Sequence, residues 1–147
     1  MEDENAVPIL NDLLNREQCG LASRLMGSTM FVSVAGVEAH ELVRRLAREA
    51  KENASLLTDL ILRLGGALGP RRINARMAEL HFQEVRHLLP ILLTEHEALV
   101  GVYESASARL ASLAGAAALV GRILSSHREG RSALHQILSI QANRVSA

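Results

Sequence analysis

LLTDLILRLGGALGPRRINARMA, residues 56–78, decides the fold. Its first half carries Leu57, Leu60 and Leu64 at helical spacing and stops on Gly65-Gly66, a pair suited to the left-handed backbone of a helix end. From Gly65 to about Ala78 the chain loses its apolar period, the longest such stretch, and reads as a crossover. Upstream, one helical segment runs from about Pro8 to about Thr29, with Pro8 in its first turn and Asn5 as its cap, and a second from about Glu38 to Leu64. Downstream, a third runs from about Glu79 to Leu113, where Pro90 predicts a kink or restart, and a fourth from about Ala116 to Ile140 after Gly115. Two long hairpins joined by one longer connection make an all-α, antiparallel four-helix bundle with a single crossover between the second and third helices. A plain up-down bundle and a helical piece of a larger assembly are the alternative topologies.

Bulk composition agrees. The chain has 147 residues, 48% of them hydrophobic but only 2% aromatic, so one aliphatic core in one domain is expected, with flexible ends at about 1–7 and 141–147. Lys+Arg and Asp+Glu both number 16, which leaves no net field to attract nucleic acid or anionic lipid. A nucleic-acid partner would want a basic stripe and stacking aromatics, and neither is present. No apolar stretch approaches the roughly 20 residues of a membrane span. The MEDENAVP start does not look like a secretory signal, and the single Cys19 fits a reducing compartment, so a cytoplasmic location is expected. LGGALGP has glycines but no preceding strand and no lysine, so no nucleotide is expected; Met26 and Met30 are no specific signal for haem.

Two polar residues stand where the helical pattern demands apolar ones. Glu17 lies near the centre of the face marked by Leu10, Leu13, Leu14, Leu21 and Leu25, and His127 near the centre of Val120, Ile123, Leu124, Leu134 and Leu138. Burying either among leucines is costly unless it is paired or bound to a metal. Glu95 lies inside the stripe of Leu88, Leu92, Leu99 and Val102, off its centre, with His96 on the other shoulder. Glu17 and Glu49 are 32 residues apart, as are Glu95 and His127, the spacing that two pseudo-symmetric hairpins around one site would show. The competing readings are plain: Arg24, two turns after Glu17, would neutralise it, and His127 would be a neutral core histidine bonded to Glu95 or Asn53. His81, His87 and His96 share no helical face and read as surface or crossover residues, and His135 as ordinary. Cys19 has no identifiable base partner. Tyr103 lies near the face of Glu95, where packing explains it and a hydrogen bond to the site is within reach.

At this point the chain resembles the ferritin-like superfamily, on its bacterioferritin and rubrerythrin side. The carriers are ILNDLLNRE at 9–17, LLTDLILRLGG at 56–66, AELHFQEVRHLLPILLTEHEALVGVYESA at 78–106 and ILSSHREG at 123–130. It is especially similar to small bacterial ferritin-like domains of unassigned function. The resemblance implies a homo-oligomer and one or two iron ions at the bundle centre. It places the family's single glutamates on Glu17 and Glu95, and the Glu-x-x-His pair of the fourth helix on His127 and Gly130. On the second helix the pair falls on Ala50 and Asn53 counting back from Gly65-Gly66, or on Glu49 and Glu52 counting forward from Glu17. The apolar face of that helix centres between Ala50 and Asn53, with Glu49 on its flank. The expected metal ligands are therefore Glu17, Glu95, His127 and Glu49, with Asn53, Arg24 and Tyr103 close by. The paired-metal set that oxidises iron is incomplete. Two functions stay open: a metal-binding protein with a reduced site, and a metal-free scaffold acting through oligomerisation or a partner.

Overall fold

The computed structural model describes residues 2–26, 36–70 and 85–146. Helices are α1 (Glu2–Gln18), α2 (Leu21–Met26), α3 (Val37–Arg63), α4 (Val85–Arg109) and α5 (Ala114–Ser146), and no strand occurs among the described residues. None of these helices is long and apolar enough to cross a membrane.

The buried leucines fall into two clusters, one at each end of the bundle, and their order along each helix fixes its direction. In α1 and α2 the chain passes from Leu10, Leu13 and Leu14 of the first cluster to Leu21 and Leu25 of the second. In α5 it passes from Val120 and Ile123 of the first to Leu134 of the second. α3 and α4 run the opposite way, from Leu42 and Leu46 to Leu57 and Ile61, and from Leu88 and Leu92 to Leu99 and Val100. The consecutive helices α3 and α4 are thus parallel. Residues 71–84 between them, His81 included, lie outside the described residues.

The C-terminus of α3 shows why the glycine pair ends it. Gly65 sits at φ 78°, its N–H donates to the Leu62 carbonyl, and the Gly66 N–H reaches back to the Ile61 carbonyl. This is the left-handed cap that satisfies carbonyls otherwise orphaned at a helix end. Asn11 of α1 then ties down the following chain, donating to the Ala67 carbonyl at 2.9 Å and accepting from the Gly69 N–H at 2.8 Å. A Cβ at Gly65 would touch nothing within 4 Å, so the strain of Gly65→Ala is purely conformational. We expect it to destabilise the fold by about 1 kcal/mol, with Gly65→Asn closer to wild type, as read by urea denaturation. Equal stability of all three would mean that the left-handed cap is dispensable.

Several boundaries differ from the sequence pattern. α1 begins at Glu2, so Pro8 lies inside it rather than in its first turn, and Asn5 is helical rather than a cap. The first segment is broken at Cys19-Gly20 instead of continuing to Thr29, and residues 27–29 lie outside the described part. α4 passes through Pro90 without restarting. Gly115 falls within the first turn of α5, the link between α4 and α5 being the turn at Leu110–Leu113.

Candidate functional site

Between the two leucine clusters lies a polar layer. Each long helix brings a buried polar residue into it: Glu17 in α1, Asn53 in α3, His96 in α4 and His127 in α5, all between 2% and 7% exposed. Helical phase explains the placement. Glu17 follows Leu13 and Leu14 by one turn and precedes Leu21, Asn53 precedes Leu57 by one turn, and His127 follows Ile123 and Leu124 by one turn.

Glu17 is the hub. Its Oε1 accepts the Tyr103 hydroxyl at 2.6 Å and stands 2.5 Å from His127 Nε2. An ionised carboxylate only accepts, so with Glu17 ionised His127 is the tautomer that donates from Nε2. Burial first, then the charge of Glu17 and the hydrogen bond to it, push the Tyr103 hydroxyl far above its ordinary range, so it remains a donor. The Tyr103 and His127 rings lie 5.0 Å apart, and His96 meets His127 edge-on at 5.4 Å. Among the described residues no ion pair joins Glu17 to Arg24, which is half-buried on α2.

Glu95 explains the break between α1 and α2. Its two carboxylate oxygens accept the Leu21 N–H at 3.0 and 3.1 Å, supplying an acceptor to an amide that starts a new helix. A Cβ at Gly20 would come to 3.1 Å from the Arg16 carbonyl and 3.4 Å from Glu95 Oε1, so the glycine lets the carboxylate approach. Burial raises the Glu95 carboxyl, the Leu21 amide lowers it, the Glu17 charge raises it, and His127 lowers it.

His96 is the residue that sequence reasoning misplaced. It was expected at the surface or crossover, and it is 5% exposed. Its room comes from α5: a Cβ at Gly130 would lie 3.0 Å from His96 Nε2 and 3.0 Å from a Leu46 methyl. The ring thus occupies the space that any side chain at 130 would need. A glycine on the buried face of α5 was the available signal. His96 Nδ1 has no hydrogen-bond partner, and the Leu92 carbonyl one turn earlier gives only partial compensation. Burial, with the nearby His127, lowers its pKa to about 4, so it is neutral at pH 7. Asn53 Nδ2 is likewise buried without a partner.

Glu49 stands on the flank of the layer rather than in it. It pairs with Arg45 at 3.5 Å and accepts from Ser126 Oγ at 3.4 Å, a bridge from α3 to α5. Glu52 is exposed, and so are His87 and His135, the latter paired with Glu97 at 3.3 Å. Glu17, Glu49, Glu95, His96 and His127 nevertheless line one small cavity of ≈ 20 Å³, about the space of one water molecule. In the observed rotamers, among the described residues, no group of three or more His, Cys, Asp or Glu side chains is arranged to hold a metal ion.

Comparison of the chain with protein-family models, curated proteins and solved structures returns no match in any of the three.

Proposed function

We propose that this is a ferritin-like bundle whose central polar layer binds one divalent cation of the iron type. The observation that carries the reading is the convergence of Glu17, Glu95, His96 and His127 from three helices on a small cavity the size of one water. The parallel course of α3 and α4 is what a single-crossover bundle requires. Mixed carboxylate and imidazole donors suit Fe(II), Mn(II) or Zn(II) rather than hard cations, which prefer oxygen alone. Glu17, Glu95 and His127 would hold the ion, and His96, whose buried Nδ1 lacks a well-formed hydrogen bond, borders the same cavity. Such an ion would supply Lewis-acid or one-electron chemistry. The chain's own residues would supply the charge, through Glu17 and Glu95, and exclusion of bulk water, through the two leucine clusters. With Ala50, Asn53 and Gly130 at the other family positions, a second ion and efficient ferroxidase chemistry are not part of the proposal. Homo-oligomerisation and a cytoplasmic location belong to the same reading.

A metal-free scaffold is the second reading, favoured by one observation: Tyr103 and His127 already satisfy the Glu17 carboxylate. Elemental analysis after anaerobic Fe(II) addition to chelator-treated protein separates the two. About one ion per chain, lost in Glu17→Ala, supports the first reading. Absence of stoichiometric metal in the wild-type protein overturns it and leaves the second.

A further inference from the structure

A larger groove opens beside Glu17 and adjoins the small cavity, with a volume of ≈ 600 Å³. Two rows of α3 form it. The inner row is Ala47, Ala50 and Ala54, and the outer row is Arg44, Arg48 and Lys51. The end of α1 and the start of α2 supply the far wall through Glu17, Gln18 and Ser23.

Charge and polarity along this groove are uneven. Arg44 is drawn toward Glu41 at 3.7 Å, whereas Arg48 and Lys51 have no acidic partner among the described residues. The floor beside them is methyl groups. Ala47 to Ala54 spans seven helical residues, roughly 10 Å, the length of an alkyl chain of about eight carbons. Asp59 and Glu17 also line the groove, so a dianion would be repelled more strongly than a monoanion.

We propose that this groove binds a small amphipathic monocarboxylate, its head on Arg48 and Lys51 and its tail along Ala47, Ala50 and Ala54. Ala50 is the position on which the site depends. It lines both the groove and the small cavity of the polar layer, so a larger side chain there would fill the floor of the one and the wall of the other. The inference is independent of any bound ion, since apart from Glu17 none of the residues assigned to the ion lines the groove.

Octanoate is the probe, titrated into the full chain by calorimetry after chelator treatment, so that failure of the metal proposal leaves the result interpretable. Saturable binding is expected, weakened about tenfold in the Arg48→Ala/Lys51→Ala double variant and by added salt. Octanol, which has the tail without the charge, should not saturate. Ala50→Leu should abolish binding with the helical circular dichroism unchanged. Should that variant fail to fold, Ala47→Leu blocks the same floor from a position farther from the polar layer. Failure of octanoate to saturate, equal affinity for octanol, or undiminished binding in the double variant would each overturn the proposal.

Discussion

Glu17→Ala is expected to destabilise the metal-free protein by about 3–5 kcal/mol, the largest effect of any single substitution in the polar layer. The reason is what the alanine leaves behind. Tyr103 would keep a buried hydroxyl and His127 a buried Nε2–H, each without the acceptor it now has at 2.6 and 2.5 Å, and each orphan costs about 1–3 kcal/mol. The cavity left by the side chain adds to this. For a chain of this length the melting temperature should fall by about 10 °C. Glu17→Gln retains one oxygen at the hub and is expected to lose less than half as much. The triple variant Glu17→Leu/His127→Leu/Tyr103→Phe removes donors and acceptor together and should recover most of the loss, since a buried polar cluster contributes little beyond well-packed apolar groups. Urea denaturation at neutral pH reads all three. A Glu17→Ala variant within 1 kcal/mol of wild type would mean that Tyr103 and His127 find other partners or water.

How far the sequence carries this molecule depends on whether a residue's environment is made locally. The leucine rows and Gly65-Gly66 are local signals, and the helical elements they predict at 38–64 and 116–140 correspond to α3 and α5. Glu17 and His127 were legible as buried polar residues because their own helices surround them with leucines. His96 was not, because its burial depends on Gly130, a residue on another helix whose missing side chain leaves the space. The α1–α2 break was hidden for the same reason: the Leu21 amide is accepted by Glu95 from α4, which no pattern within residues 8–29 records. Tyr103 was placed on the correct side of α4, yet its partner Glu17 lies on α1, and helical phase alone does not choose between packing and a hydrogen bond. The interhelical pairings are where sequence reasoning stopped, and they compose most of the candidate site.

The second large effect concerns acid. His96 is buried, lines the same small cavity as Glu17, Glu95 and His127, and protonating it places a charge in a buried layer. The unfolded chain takes up this proton near pH 6.5, the folded chain only near pH 4. Between those values the unfolded state binds more protons, so stability is full above about pH 6.5 and is lost as the pH falls toward 4. The separation of the two values corresponds to about 3 kcal/mol in the metal-free protein. Glu95 acts in the opposite sense. Its raised pKa lets the folded chain take up a proton first, so its contribution is present below the ordinary carboxyl value of 4.5 and is lost as the pH rises through the raised one. Comparison with His96→Leu isolates the histidine, because Glu95 and Leu21 remain in both proteins. Denaturation at pH 7 and pH 4 should show the variant gaining about 3 kcal/mol relative to wild type over that interval. A difference that stays constant with pH would mean that the His96 ring is protonated as readily in the folded chain as in the unfolded one, and that the layer between the leucine clusters admits water.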